Sequence, residues 1–417
     1  MKLWLKYTLA GMVGIIFGII LQADSSIYGY ILGLAEFSLR LGRFIIFPLF
    51  FFTLSVSVCQ LRRDRVLIKT SLKLLVLALL TVVLQILISM GVSFILPLDR
   101  IPIITETSGW QSPYPFRNLI ENGSIPETLR KLLPINGFEV FNQSGDFILP
   151  ALILSFFLGT QLFYDKEEAE PVFNLFDSFS RMLYRMNTFF TKIFVFFIIP
   201  VTSILIVQIK GINDFSAYMG LLKIVAISSV LILFVLYPVS YFLITKRKPF
   251  SDMGVFSAAL VGALFTGDNF INAQILMRTL KENGGMKRKA SGLSLPLLTM
   301  FSRAGTAMIT NICLLTILKS YSSLELTAFQ VFWVMGVSIL VSLLLFSQSY
   351  MGVYSALIIS CSLYGRGLIE GYVLILPILP VLIIFACLLD AANIAFIILA
   401  LGNEKEFRFP EAREDFI

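Results

Sequence analysis

Three ionisable residues stand where charge is expensive: Asp268 within the apolar segment 252–283, Arg303 within 292–318 and Asp390 within 371–401. On membrane-insertion scales a charge at the centre of an apolar helix costs about 2.5–3.5 kcal/mol, so such residues face a cavity or a partner. Arg303 could pair with Asp390 as a buried structural bridge, or the two could face a common cavity and recognise charged groups there. The chain contains no histidine, which removes the commonest metal ligand and proton relay and leaves any proton to a carboxylate. No serine or cysteine dyad and no paired-aspartate motif is apparent, so no catalytic residue is assigned and enzymatic chemistry is disfavoured. Cys59, Cys313, Cys361 and Cys387 are isolated, with no CxxC and no partner at metal-ligand spacing; core packing is their expected role, and no metal or cofactor site is assigned.

The neighbours of these charges are polar as well. Thr266-Gly267-Asp268-Asn269 interrupts the segment 252–283, and Ser347-Gln348-Ser349-Tyr350-Met351-Gly352 interrupts 328–365. Phe301-Ser302-Arg303-Ala304-Gly305-Thr306 places a small, polar stretch inside an apolar span and predicts a locally unwound helix. Glu36, Arg40 and Arg43 form a fourth charged group. Glu36 and Arg40 have the spacing of a helical pair, and a structural or lipid-headgroup role is expected for the group.

The elements that position these residues must be membrane helices. Hydrophobic residues make up 57% of the 417 and charged residues 14%, against about 25% charge in a soluble domain. Several runs reach the ~20 residues that cross a bilayer, and alternating barrel-type segments are absent. Helices are predicted at about 4–21, 28–57, 69–97, 147–164, 177–209, 218–244, 292–318 and 371–401. Lys2 and Lys6 precede the first of them, but no convincing small-residue cleavage site follows, so it is read as a membrane helix and not a signal peptide. The segments 252–283 and 328–365 read as re-entrant hairpins, since each arm alone is too short to cross ~30 Å at 1.5 Å per residue. Residues 98–146 form a long polar insertion, with Asn-x-Ser triplets at Asn122 and Asn142, and the acidic run 165–170 reads as a solvated loop and helix start.

The net charge of +7 is spread in short clusters between apolar segments, which is the positive-inside pattern and not a nucleic-acid face. It predicts a multi-pass plasma-membrane protein, of bacterial inner-membrane type, with both termini cytoplasmic. Hairpin 252–283 followed by helix 292–318, and hairpin 328–365 followed by helix 371–401, form two units whose hairpins open to opposite sides. Inverted repeats with broken helices meeting at mid-membrane are the architecture of secondary transporters.

The chain resembles the dicarboxylate/amino acid:cation symporter family, the glutamate transporters and their prokaryotic relatives. The resemblance is carried by Leu133-Pro134-Ile135-Asn136-Gly137-Phe138, Ile148-Leu149-Pro150 to Leu158-Gly159, Met277-Arg278 with Lys281-Glu282, Ser294-Leu295-Pro296-Leu297 and Leu389-Asp390, in order along nearly the whole chain. It implies an all-α fold of eight transmembrane helices plus two re-entrant hairpins, assembled as a homotrimer in membrane lipid and working as an elevator. A scaffold of 1–68 (helices 1 and 2) and 98–210 (the long loop with helices 4 and 5) would hold a moving domain. That domain would comprise helix 69–97, helix 218–244, hairpin 252–283, helix 292–318, hairpin 328–365 and helix 371–401, followed by a cytoplasmic tail, 402–417.

The resemblance also implies an Asn-Met-Asp-Gly-Thr signature where this chain has Ser302-Arg303-Ala304-Gly305-Thr306, so only Gly305 and Thr306 match, the threonine being a substrate contact. The family's ammonium-binding aspartate matches Asp390. Asn393 stands where acidic-substrate members carry arginine, Ile397 where an asparagine meets substrate, and Leu401 where an aspartate binds sodium; Asp268-Asn269-Phe270 replaces a serine-rich hairpin tip. Sodium needs several oxygen ligands and usually a carboxylate. A guanidinium about 4 Å away at an effective dielectric of ~20 repels it by roughly 4 kcal/mol, about a thousandfold in affinity. Arg303 is therefore expected to act as a built-in cation in place of the family's first and third sodium sites, which leaves open a site made mainly of backbone carbonyls near the second hairpin. The expected activity is secondary active transport of a small polar organic solute, most simply an amino acid, without sodium. Arg303, Thr306, Asp390, Asn393, Asp268, Asn269, Ser349 and Gly352 would bind it. The alternatives are a sodium- or proton-coupled glutamate, aspartate or dicarboxylate symporter, and a channel or receptor that kept the fold.

Overall fold

The computed structural model describes residues 2–22, 25–96, 98–102, 136–137, 139–142, 148–164, 166–212, 214–322, 325–344, 352–365, 367–402 and 407. Among these the chain is helical, without strands, and seven helical stretches are long and apolar enough to cross a membrane. Most of the long insertion, and with it Asn122, lies outside the described residues, as do Ser349 and the rest of the 345–351 break.

Prolines and glycines set where the helices bend. The first helix, α1, is Leu3–Ile20, and the expected helix 28–57 is two, α2 (Ser26–Arg43) and α3 (Ile46–Arg63). Pro48 lacks the N–H that would bond the Phe44 carbonyl and its ring crowds that oxygen, so the helix breaks at Phe44 and Ile45. After α4 (Leu67–Ile95), the expected span 147–164 yields only α5, Leu149–Gln161, with Pro150 in its first turn. Thirteen residues rise about 20 Å, short of a ~30 Å hydrocarbon core, so α5 does not qualify as the eighth span. The next helix, α6, runs Lys166–Lys210 and starts well before the expected 177. Its first turn uses the acidic run, since Glu167 and Glu168 suit the positive end of the helix dipole.

The expected helix 218–244 consists of α7 (Met219–Leu231), a π-helical turn (Ile232–Leu236) and α8 (Tyr237–Thr245). Pro238 at the start of α8 removes the donor that would continue the ladder, and the π turn absorbs the mismatch. The first hairpin is α9 (Ser257–Thr266) and α10 (Asn269–Glu282). The expected unwinding of 292–318 divides it into α11 (Arg288–Phe301) and α12 (Ala304–Tyr321). The second hairpin supplies α13 (Ala328–Leu344) and α14 (Gly352–Tyr364), and a 3-10 segment, Gly371–Ile378, leads into α15, Leu379–Leu401.

The α11–α12 span is almost wholly enclosed by protein, whereas α1, α4 and the α7–α8 span turn large apolar side chains outward. α12 packs against α4, α7, α13, α14 and α15; α9 and α10 pack on each other and on α15; α1 and α2 pack along α6, and α3 joins α5 to α11. Helices in lipid associate through close backbone approach at small residues, and α1 buries Gly11, Gly14 and Gly18 for this purpose. A Cβ on Gly14 would lie 2.8 Å from the Ile199 carbonyl oxygen and from the Thr202 Cβ of α6. Gly14→Leu is therefore expected to destabilise the protein by about 1–3 kcal/mol, while Gly29→Leu, at a position with open space around it, leaves thermal unfolding in detergent unchanged.

Candidate functional site

The turn between α9 and α10 is built from two local signals. Gly267 closes α9 in the left-handed conformation, φ 61, with its N–H donating to the Ala263 carbonyl at 3.0 Å, a C-terminal position that glycine fills without a Cβ penalty. Asp268 then caps α10, Oδ1 accepting from the N–H groups of Phe270 at 2.8 Å and Ile271 at 3.0 Å. Its Oδ2 accepts from Arg43 Nε at 2.6 Å. The hairpin tip is thus folded by its own sequence and tied to α2 by charge.

The break between α11 and α12 lies at Ser302 (φ −101, ψ 61) and Arg303 (φ −94, ψ 47). Breaking a helix inside a bilayer exposes N–H groups that water cannot serve. No side chain within the break caps α12; Asp390 on α15 does so from outside. Its Oδ1 accepts from the Gly305 N–H at 2.7 Å and the Thr306 N–H at 3.2 Å, and its Oδ2 from Thr306 Oγ1 at 2.7 Å. Asn269 Nδ2, from the hairpin tip, donates to the same Oδ2 at 3.3 Å. A carboxylate offers about four acceptor positions, and the protein itself fills them here. Gly305 lets the helices approach this closely, since a Cβ there would sit 2.5 Å from the Ala386 carbonyl oxygen and from Leu389 Cβ.

Arg303 and Asp390 are 2% and 1% exposed. Gly352, the first residue of α14, adjoins them: a Cβ there would lie 3.4 Å from Thr306 Cγ2 and 3.7 Å from Arg303 Nη1. Asn393, one turn beyond Asp390, uses Nδ2 to donate to Ser302 Oγ at 2.7 Å and Thr81 Oγ1 at 3.0 Å. Its Oδ1 is buried and has no hydrogen-bond partner among the described residues. Ile397 and Leu401 are fully buried apolar residues on the same helix.

Seven of the eight expected site residues, Asp268, Asn269, Arg303, Thr306, Gly352, Asp390 and Asn393, therefore come together where four elements meet; Ser349 lies outside the described residues. Thr81 is a member that the sequence signalled faintly, because Thr81, Gln85 and Ser89 recur every four residues in the otherwise apolar stretch 74–92 of α4. Arg43, expected in a structural or lipid-headgroup role, takes a structural one through its pair with Asp268. Among the described residues no three His, Cys, Asp or Glu side chains cluster as a metal site would require.

With this geometry in place, comparison of the whole chain is informative: residues 3–390 match the family model described as Sodium:dicarboxylate symporter family. The chain belongs to that family. The match ends at Asp390, before Asn393, Ile397 and Leu401. The chain is also similar to human excitatory amino acid transporter 1, 22% identical over 189 residues, which are 44% of this chain and 34% of the relative. The bovine and mouse proteins of that name are likewise 22% identical, over 189 and 182 residues, the latter being 43% of this chain and 32% of the relative. The aligned part of this symporter-family chain thus spans about a third of the length of those curated relatives.

Removing the Asp390 carboxylate would orphan two helix N–H groups and leave the buried guanidinium less compensated. Asp390→Ala is expected to destabilise the protein by about 3–5 kcal/mol. Adding Arg303→Met to it should recover part of that loss, so that the double variant, followed by thermal unfolding, falls short of the sum of the single ones.

Proposed function

We propose that this chain is a secondary transporter of a small zwitterionic solute, in the first place a neutral amino acid, and that its transport cycle does not use sodium. The observation that carries this is the burial of one guanidinium, Arg303, and one carboxylate, Asp390, around the same helix break in a symporter-family chain. The other buried pair, Arg43 with Asp268, balances itself. A zwitterion complements such a site, its carboxylate toward Arg303 and its ammonium toward Asp390. A dicarboxylate would bring a second negative charge beside Asp390 in a medium where like charges repel strongly.

An ammonium group reaches Asp390 by displacing Asn269, the longest of its hydrogen bonds at 3.3 Å. Because Asn269 sits at the hairpin tip, substrate binding and tip position become one event. Asn393 Oδ1 offers an acceptor to a solute hydroxyl or amine, and Thr306 a hydroxyl. Sodium is replaced in this scheme by fixed groups: Arg303 supplies the charge, Ala304 and Leu401 supply no carboxylate, and the Thr81 and Ser302 oxygens accept from the Asn393 amide. The working assembly is a homotrimer in the plasma membrane with both termini cytoplasmic. Its scaffold, α1–α3 with α5 and α6, carries α4 and α7–α15 as an elevator. The relatives' printed name, excitatory amino acid transporter, supports amino acids as the substrate class.

Uptake of radiolabelled alanine, serine and glutamate into liposomes containing the purified protein tests this. Neutral amino acids should accumulate equally, within about twofold, when external sodium is replaced by choline, and Arg303→Met should abolish uptake. Strict sodium dependence with glutamate as best substrate would refute the proposal. In the variant Arg303→Met with Ala304→Asp, uptake is expected to acquire a sodium response, since the fixed cation is gone and a carboxylate ligand has returned.

A further inference from the structure

The start of α11 is poorly provided for by its own sequence. Lys287, its N-cap residue, precedes Arg288 and Lys289, so three cations stand at the positive end of the helix dipole. The first turn holds no acidic residue, and no side chain among the described residues caps it. The turn that leads into α11 contains two glycines. Asn283 and Gly284 donate to the Thr279 carbonyl at 2.9 and 3.0 Å, Gly285 takes φ 62, and Met286 donates to the Leu280 carbonyl at 3.3 Å. Adjacent glycines leave such a turn many other conformations, so what fixes this one comes from outside it.

Lys289 pairs with Asp64, just past α3, at 2.6 Å, and Arg288 pairs with Asp177 of α6, but partly exposed ion pairs hold weakly. The third holder is the chain beyond α15. Gly402, which closes α15, lies so near the turn that a Cβ there would sit 2.8 Å from Met286 Sδ. Farther along, Phe407 is 1% exposed and belongs to the main apolar core, and its carbonyl accepts from the Lys287 N–H at 2.9 Å.

These contacts close one end of a three-helix block. α10 and α11, of 14 residues each, rise about 21 Å, and α15 rises about 17 Å from Asp390 to Leu401. At the far end the helices meet where Asn269 and the Gly305 N–H both donate to Asp390; at the near end they meet through the turn, Gly402 and Phe407. We propose that Phe407 is a positioning residue for transport: seated on the Met286–Lys287 turn, it fastens the chain beyond α15 to the start of α11 and makes α10, α11 and α15 move as one. Motion of the first hairpin is then confined to its tip, where Asn269 leaves Asp390. With the ring unseated, the two-glycine turn lets α10 swing from its base. This deepens the transporter reading above and rests on it, though not on which solute is carried.

Hydrogen–deuterium exchange of the full chain in lipid nanodiscs, read by mass spectrometry on peptides spanning 279–291, tests the anchor without any solute. Phe407→Ala keeps the carbonyl that Lys287 uses and removes only the ring. It is expected to speed exchange in those peptides at least tenfold, with peptides of α1 and α6 within twofold of the parent. Phe407→Val, a smaller loss that retains folding, should give at least threefold at the same peptides, and Phe407→Leu less than Phe407→Val. A turn unchanged in the alanine and valine variants overturns the anchor; so does an equal rise in α1 and α6, which makes the ring a general support of the fold. In liposomes, the maximal rate of neutral amino-acid uptake by Phe407→Val should fall at least threefold with the half-saturation concentration within twofold, because the ring lies a helix length from the solute. An unchanged rate, or a change confined to half-saturation, overturns the positioning role. If the parent takes up no amino acid while the turn responds, the substrate proposal falls and the anchor stands; if uptake proceeds and the turn does not respond, the anchor falls and the transporter stands.

Discussion

A helix N-terminus in the middle of a membrane has no water to satisfy it, and the organisation around Arg303 follows from how that problem is solved. The donors at the start of α12 are satisfied by Asp390 from α15. That fixes the register of α15 against α12 and requires Gly305 at the crossing. It also orients the Thr306 hydroxyl and draws Asn269, and with it the first hairpin's tip, onto the same carboxylate. One residue thus sets both the packing of a core helix and the position of the element beside it.

The breaks were legible because their residues are local instructions. Thr-Gly-Asp-Asn is a glycine helix stop followed by an aspartate cap, and Ser302-Arg303 interrupts a span that contains no other charge until Lys319. The membership of Asp390 and Asn393 followed from apolar surroundings and from the family resemblance. Helix ends were harder. Pro48 and Pro238 bend helices whose apolar content runs on without interruption, and the acidic run, expected as a solvated loop and helix start, already forms the first turn of α6, ahead of the expected helix at 177. The Arg43–Asp268 pair had no sequence signature, because its partners lie 225 residues apart and neither carries a pattern naming the other.

The buried interior around the helix break balances in charge and pairs its polar groups: the guanidinium of Arg303 and the carboxylate of Asp390 carry opposite signs, and the amide of Asn393 donates to the Ser302 and Thr81 hydroxyls, as low-dielectric surroundings demand. The large apolar surfaces of α1, α4 and α7–α8 face outward around this balanced interior, where lipid is the natural solvent.

The length of α6 has a mechanical side. Its 45 residues extend about 68 Å, roughly twice a hydrocarbon thickness of ~30 Å. Tilting of the usual ~20° shortens its projection by only a few ångströms, so a substantial part of the helix stands outside the apolar slab. The acidic end that carries Asp177 is suited to water, whereas the stretch gripped by the α1 glycines and by Tyr7 is suited to lipid and protein. The two parts of the helix thus meet different solvents, and the buried part bears the first hairpin through the Asn187 amide on the Gln274 carbonyl.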